Sequence, residues 1–150
     1  VRCAAAEALG AIGDPQAVPH LIRALNHSKP SARTAMYEAL AKIGVPAVPA
    51  LIEKLRDDSW WVCDSACRAL AMIGAIALPE LLSAIEDSDW RIRQGVCWTL
   101  GRIGMPQALP ALTKRLEDES QYVRNAAQEA IQQIEANKSK KTEWVCHMEA

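Results

Sequence analysis

A pattern of about thirteen residues occurs five times in this chain, at intervals of about thirty residues. Its copies begin at Val1, Ala32, Val62, Ile92 and Val123, and places within each copy are counted from these residues. A fixed period of this size is typical of stacked supersecondary units, because no single unit can bury its apolar face alone. The period therefore predicts an array, and it indicates that function lies on a surface formed by several copies together.

Between successive copies lies a second pattern, whose apolar residues recur three and four positions apart. In the first unit these residues are Val18, Leu21, Ile22 and Leu25, and their spacing predicts one face of a helix. A proline recurs near the start of the pattern, at Pro19, Pro49, Pro79 and Pro110. Proline lacks an N–H group and is tolerated best in the first turn of a helix, so we expect this helix to begin late or to bend there.

Each copy of the first pattern predicts a second helix, because its first, fourth, fifth, eighth, ninth and twelfth places are apolar or small and share one arc. The turn before this helix holds an aspartate in three units, at Asp57, Asp87 and Asp118, with His27 as the exception. Such an aspartate can accept backbone N–H groups or pair with an arginine, which contributes about 1 kcal/mol. Four copies end in a glycine suited to a left-handed C-cap, at Gly13, Gly44, Gly74 and Gly104. Glu135 takes this place in the last copy.

The combined pattern Asp-x-x-x-x-Val-Arg-x-Ala-Ala-x-x-Ala-Leu-Gly-x-Ile-Gly-x-Pro-x-Ala-Val-Pro-x-Leu resembles HEAT repeats of the short class found in phycobilisome lyase subunits. Besides the four glycines, the residues that carry the resemblance are Arg2, Arg33, Arg93, Arg124, Trp60 and Trp90, while Cys63 departs from the arginine place. The resemblance implies an all-α fold, a right-handed α-solenoid of stacked antiparallel helix pairs with about nine helices. It also implies that the second helices line the concave side and the first helices the convex side.

We expect the repeat array to cover residues 1–135 and residues 136–150 to form a polar linker and a C-terminal cap, in which Trp144 and Val145 fold back over the last helix pair. The first repeat lacks its outer helix, so an apolar end at Val1, Ala5 and Leu9 is expected to be exposed. Self-association or further repeats upstream would cover it. Because the chain begins inside a repeat and without Met, we expect it to be a fragment or a processed product.

Charge and composition narrow the classes of partner. The chain has 17 basic and 18 acidic residues and a net charge of −1, so no long-range field attracts nucleic acid or a membrane surface. Gly, Pro and charged residues interrupt every apolar stretch before the roughly eighteen residues of a membrane span. An odd number of cysteines, 5, favours reduced thiols over a disulfide framework. The expected location is the cytoplasm.

No motif in the sequence indicates catalysis or a cofactor. The chain has no glycine-rich phosphate loop and no Gly-x-Ser-x-Gly, and its three histidines are scattered. A HEAT-like enzyme that hydroxylates deoxyhypusine would hold its metal centre through His-Glu pairs. No His-Glu dipeptide occurs in this sequence. A HEAT-like DNA glycosylase would need a cationic concave face, but Glu7 and Asp64 are among several acidic residues there. Cys63, Cys67 and Cys97 lack a histidine that would complete a soft-metal site, so we predict that no metal is bound. Because the catalytic motifs are also missing, we predict no enzyme activity.

The third, sixth, seventh, tenth and eleventh places are predicted to form the exposed arc of the second helix, and they are the places where the copies disagree, so a candidate patch for partner binding is expected there. Aromatic residues, Arg and Met are enriched in binding hot spots. The candidate patch consists of Tyr37, Glu38, Arg68, Met72, Trp98 and Arg102. Alternatively, Tyr37 and Trp98 cover gaps between adjacent inner helices. Trp60 and Trp90 are predicted to pack over a helix end, whereas Trp61 is a further candidate contact.

The sequence leaves two candidate functions. The first is a non-catalytic protein–protein interaction scaffold that binds a protein or peptide on the concave face. The second, implied by the resemblance alone, is a phycobilin lyase subunit or a related factor that handles chromophores.

Overall fold

The computed structural model describes the backbone of residues 2–27 and 29–148 and, apart from residues 2, 27, 30, 31 and 140–148, their side chains. Within these ranges the chain forms nine α-helices and no strand. In chain order they are α1 (Arg2–Ile12), α2 (Val18–His27), α3 (Pro30–Ile43), α4 (Val48–Glu53), α5 (Trp60–Ile73), α6 (Leu78–Ala84), α7 (Trp90–Ile103), α8 (Leu109–Arg115) and α9 (Gln121–Met148).

The helices form two rows. The long-helix row contains α1, α3, α5, α7 and α9, each of which packs against the next, and the short-helix row contains α2, α4, α6 and α8. Each short helix packs against the long helix that follows it in the chain. The fold is therefore the predicted all-α, right-handed α-solenoid of stacked antiparallel helix pairs, and the helix count among the described residues agrees with the sequence prediction.

The short helices begin late, as the recurring prolines predict. A 3₁₀ turn precedes each of them, at Pro15–Ala17, Val45–Ala47, Gly74–Ala77 and Pro106–Ala108. The α-helix then begins one residue before the proline, so that Pro49, for example, occupies its first turn. No intrahelical hydrogen bond is lost there, because the first N–H groups of a helix have no partner within it.

The predicted left-handed C-cap forms at Gly104, whereas Gly44 and Gly74 have positive φ but ψ values of −134° and −139°, outside the left-handed helical region. Gly104 has φ 74° and ψ 26°, a left-handed conformation, and its N–H donates to the carbonyl of Leu100. The three other terminal glycines also have positive φ. A side chain would strain this conformation, which explains why glycine recurs at the place where each long helix stops and the chain turns.

The core lies between the two rows. Long helices contribute the ninth-place leucines Leu40, Leu70 and Leu100, and short helices contribute Leu51 and Leu81; all five are fully buried. Each buried leucine stabilises the fold by about 1.5–3 kcal/mol relative to an exposed one. Because every unit places such leucines against the next unit, the core is continuous along the array.

Neighbouring long helices touch through the tenth place of the repeat. A Cβ atom on Gly101 in α7 would lie 2.8 Å from the Cα of Ala130 in α9, and one on Gly10 in α1 would lie 2.7 Å from the Cα of Ala39 in α3. Real Cβ atoms do not approach so closely, so only glycine allows these backbones to meet. The prediction that the tenth place is exposed is therefore wrong for Gly10 and Gly101.

The sixth place of the repeat is also covered in three copies. Ala6, Cys67 and Cys97 are buried, although the sequence analysis placed them on the exposed arc. The side-by-side packing of successive long helices covers this flank of each helix. Only the seventh and eleventh places face outward in nearly every copy, with Glu38 half-buried.

One stretch, Trp60–Ala84, is long and apolar enough to span a membrane by length and composition, in contrast to the sequence prediction. It consists of two helices, because α5 ends at Ile73 and Gly74 turns the chain with φ 74°. Val62, Leu70 and Leu81 of this stretch are buried against neighbouring helices. The core helices of a soluble protein pass the same test of length and composition.

The two ends of the array are the C-terminal half of α9 and the first turns of α1. The backbone of α9 continues as one helix to Met148, through the segment that the sequence analysis separates as a linker. The side chains of Trp144 and Val145 lie outside the described residues, so the cap stays a prediction. At the other end Val1 is not described, while Ala5 is exposed and Leu9 is half-buried.

Candidate functional site

The candidate patch occupies the outward face of the long-helix row. Arg68 and Met72 of α5 and Trp98 and Arg102 of α7 are exposed, one turn apart on each helix. Tyr37 of α3 is half-buried and packs against the core cluster. Glu38 is also half-buried. The four exposed residues thus share one face, and α3 contributes less accessible surface to it.

Asp64 connects α5 to α7 at the centre of this face. Its Oδ2 accepts a hydrogen bond from Nε of Arg68 at 2.7 Å, and its Oδ1 accepts one from Nη2 of Arg102 at 3.0 Å. Partial burial acts to raise the pKa of Asp64, but the two guanidinium groups outweigh it and hold the pKa below its usual value. Asp64 is therefore an ionised partner of two arginines, not a proton donor.

A groove of about 790 Å³ runs across α5, α7 and α9 beside this centre. We call it the aromatic groove. Its lining consists of Leu55, Asp57, Asp58, Trp60, Cys63, Asp64, Cys67, Trp90, Arg91, Gln94, Trp98, Arg102, Glu129 and Gln133. Nearly all of these residues lie on the long-helix row or in the turn before α5, so the groove belongs to the same face as the candidate patch.

Part of the open volume of the aromatic groove arises because Cys63 stands where the other repeats have an arginine. In the next repeat Arg93 fills this place, and its guanidinium bonds Asp118 and the carbonyl oxygens of Asp87 and Ser88. The side chain of Cys63 is too short to span from its helix to the neighbouring turns. Its thiol lines the aromatic groove instead.

Three tryptophans border the aromatic groove and remain accessible. Trp60 is 74% exposed, and Trp90 and Trp98 are 39% and 37% exposed. The prediction that Trp60 packs over a helix end is therefore wrong, since its ring projects from the first turn of α5. Trp90 fits that prediction better, because it stacks on Tyr122 with ring centroids 5.0 Å apart.

Trp61 is held by its neighbours and does not line the aromatic groove. The Trp60 ring meets it edge-on at 6.3 Å, and the guanidinium of Arg33 lies 5.1 Å from its ring centroid. Such a cation–π contact contributes about 0.5–1 kcal/mol at exposed sites. Trp61 therefore joins α5 to α3, and this contact supports a structural role for it.

Carboxylates outnumber guanidinium groups along the aromatic groove. Asp57, Asp58, Asp64 and Glu129 line it together with Arg91 and Arg102. Arg91 bonds both Asp89 and Asp58, at 2.9 Å and 3.0 Å. Arg102 bonds Asp64. Lys54 pairs with Asp57 and Arg68 with Asp64 from outside the lining, so among the described side chains the remaining negative charge lies at Glu129 and at Asp58, which shares Arg91 with Asp89.

Two thiols meet at the floor of the aromatic groove. Sγ of Cys67 lies 3.6 Å from the carbonyl oxygen of Gly95. A hydrogen bond with Cys67 lowers the pKa of Cys63, and the same interaction together with burial raises the pKa of Cys67 well above its usual value. Among the residues that the structure describes, no three His, Cys, Asp or Glu side chains are placed to hold a metal ion.

The structure brings together only part of the candidate patch at the aromatic groove. Trp98 and Arg102 line it, whereas Tyr37, Glu38, Arg68 and Met72 do not. Sequence reasoning missed the lining residues Asp58, Trp60, Trp90, Arg91 and Gln94 as functional candidates. The recurring aromatic residue ahead of the second helix was the available signal, but it was interpreted as packing.

Comparison with known proteins places the chain among helical repeat proteins. A family model described as HEAT repeats matches residues 1–71 and 48–132. The structure of human deoxyhypusine hydroxylase in complex with glycerol is similar, with a TM-score of 0.54 and 27% identity over 79% of this chain and 43% of that chain. This chain thus spans less than half the length of the hydroxylase.

A second similar structure is the complex of CpcE and CpcF of phycocyanin lyase from Nostoc. It also has a TM-score of 0.54 and 27% identity, over 81% of this chain and 79% of that chain. A search of curated proteins by sequence found no significant match.

Proposed function

The chain belongs to the HEAT repeat family, and we propose that it is a non-catalytic scaffold that binds a protein or peptide on the face of its long-helix row. The exposed tryptophans of the aromatic groove carry this proposal. An accessible Trp60 next to Trp90 and Trp98 is unfavourable in water, and such aromatic surface is enriched at binding hot spots. A groove of about 790 Å³ is large enough to receive several side chains of a partner.

Curvature supports the choice of this face. The backbones of neighbouring long helices meet at Gly10 and Gly101, and such close approach is what the concave row of a solenoid requires. In a solenoid the contracted side is concave, and concave solenoid surfaces are the extended binding surfaces of repeat proteins. The remaining members of the candidate patch, Arg68 and Met72, extend the surface beyond the groove.

Electrostatics favours binding over catalysis. A general acid or base needs a pKa near the working pH, which requires a carboxyl group that burial or a like charge has raised. The pKa of Asp64 is lowered by two arginines. Asp57 and Asp58 are also paired, with Lys54 and Arg91. Asp64 therefore positions two cations and is a poor proton donor at neutral pH.

Groove variants test the proposal in affinity capture from the native source. Trp98→Ala removes an exposed aromatic contact, while Cys63→Arg occupies the aromatic groove and leaves its tryptophans in place. Both are expected to lose the partners that the wild-type chain captures. Ile76→Ala is the matched control, because Ile76 is 66% exposed and does not line the groove. An unchanged partner list for both groove variants, with unchanged helix content by circular dichroism, would reject the proposal.

A second candidate function is a phycobilin lyase subunit or a related chromophore-handling factor. The observation that favours it is the similarity to the phycocyanin lyase complex, which extends over most of both chains. The aromatic groove would then receive a planar tetrapyrrole between its tryptophans. Titration with a linear tetrapyrrole distinguishes the two: a shifted absorption band that is lost in Trp98→Ala supports chromophore handling, and an unshifted spectrum excludes it.

A further inference from the structure

The charge along the aromatic groove restricts the partners that it can receive. Of the four carboxylates that line it, Asp57 pairs with Lys54 and Asp64 with Arg68 and Arg102, which leaves Glu129 and Asp58, the latter sharing Arg91 with Asp89. The side chain of Asp58 is 96% exposed, and Glu129 has no ion-pair partner among the side chains that the structure describes. An anionic partner would meet this surplus charge directly, whereas a cationic partner would neutralise it.

The tryptophans of the aromatic groove also favour a cationic partner. The face of an indole ring attracts ammonium and, more often, guanidinium groups. Trp60 and Trp90 stand at the first turns of α5 and α7, beside Asp58 and Arg91 on the groove lining. A cationic side chain that enters the groove can therefore contact an indole ring and a carboxylate together.

Two glutamine side chains of the aromatic groove can form hydrogen bonds with the backbone of a peptide partner. Gln94 of α7 and Gln133 of α9 both line the aromatic groove. The side-chain oxygen of Gln133 is 2.6 Å from the place of a Cβ on Gly101, so the close approach of the two helices seats this amide against α7. Each amide both donates and accepts hydrogen bonds, as an extended peptide backbone requires.

We propose that the occupant of the aromatic groove is an extended, basic peptide segment of a partner protein, whose Arg or Lys side chains contact Trp60 and Asp58 at one place in the groove and Glu129 at another. This inference rests on the proposed scaffold function and specifies its partner. It also explains why the chain leaves a large indole exposed at Trp60: the ring is a platform for a side chain that the partner brings.

Fluorescence anisotropy with synthetic peptides tests the inference. The probes are four sets of fluorescein-labelled nonapeptides with a Gly, Ser and Ala background and two fixed central residues, which are Arg, Lys, Gln or Glu. We expect the Arg and Lys sets to bind, the Glu set not to bind, and affinity to fall as NaCl rises, because surface ion pairs are screened. Trp60→Ala is expected to weaken binding of the Arg set about threefold to fivefold, since a cation–π contact at an exposed ring is that strong.

Two controls separate charge from aromatic contact. Glu129→Gln should weaken binding of the Arg set and remove part of its salt dependence, whereas Ile76→Ala should leave both unchanged. Equal or tighter binding of the Gln or Glu set would overturn the inference and leave a peptide-binding scaffold standing. Binding by none of the four sets would also overturn it, and the capture experiment with Trp98→Ala and Cys63→Arg then decides the scaffold function separately.

Discussion

Arg93 and Asp118 form a buried bidentate ion pair that joins α7 to the turn before α9. Nε and Nη2 of Arg93 donate to Oδ2 and Oδ1 of Asp118, each at 2.9 Å, and the two side chains are only 6% and 3% exposed. Asp118 also accepts the backbone N–H of Ser120. The aspartate thus performs both roles that the sequence predicts for its place, capping a turn and pairing with an arginine of the preceding repeat.

Removing the charge of Asp118 should destabilise the fold strongly. Asp118→Asn keeps the size of the side chain but removes the buried counter-ion of Arg93 and leaves only the exposed carboxylate of Glu119 paired with it, so the cost should approach that of a broken buried pair, about 3–5 kcal/mol. Urea unfolding followed by circular dichroism measures the loss. Asp58→Asn is the control, because that carboxylate is exposed and its pair with Arg91 should contribute at most about 1 kcal/mol. Equal losses in the two variants would contradict the structural role of the buried pair.

The stability contributed by this ion pair should depend on pH in the acid range. Burial acts to raise the pKa of Asp118, but Arg93 and the Ser120 amide outweigh it and hold the folded-state pKa below the unfolded value of about 3.9. A carboxyl group with a depressed pKa contributes its full stability above the unfolded pKa and loses it as pH falls through the folded pKa. The difference in unfolding free energy between wild type and Asp118→Asn should therefore be constant from pH 7 to about 5 and shrink below about pH 4. A difference that stays constant to pH 2.5 would argue against this assignment.

Gly101 should resist substitution by alanine although it lies inside a helix. Alanine gains up to about 1 kcal/mol over glycine in helix propensity. A Cβ at Gly101 would, however, lie 2.8 Å from the Cα of Ala130, and overpacking of this kind costs about 1–3 kcal/mol. We expect Gly101→Ala to lower the urea midpoint. Gln132→Ala, at the same repeat place on the exposed side of α9, should leave the midpoint unchanged or raise it; a gain in both variants would show that α7 and α9 do not meet as described.

The repeat made most of the architecture predictable from the sequence. Helical spacing in Val18, Leu21 and Leu25 predicted a buried helix face, the prolines predicted late starts, and the terminal glycines predicted a left-handed C-cap, which forms at Gly104. Each of these signals is local, because it depends on residues within one helix or turn. Repetition then converts a local assignment into an array, since equivalent units must pack equivalently.

The candidate site was only partly predictable, because it depends on how neighbouring helices cross. Cys67 and Cys97 occupy an arc that faces outward on a single helix, yet the adjacent long helix covers them. Trp60 lies at a place that suits packing, yet nothing in the described part of the chain covers most of its ring. Helical periodicity shows which way a side chain points from its own axis, but the neighbour that covers it is a property of the stack.

Cysteine chemistry provides a last test of the aromatic groove. Cys63 is half-buried on the groove lining, and the hydrogen bond with Cys67 lowers its pKa, whereas burial raises the pKa of Cys97 to about 12. Because the thiolate is the reactive form, iodoacetamide at pH 7.5 should alkylate Cys63 well before Cys67 or Cys97. Peptide mapping by mass spectrometry measures the order. Cys67→Ala should slow alkylation of Cys63 by removing the hydrogen bond, while Cys97→Ala should not. Faster labelling of Cys97 than of Cys63 would show that the groove does not expose Cys63 as the structure describes.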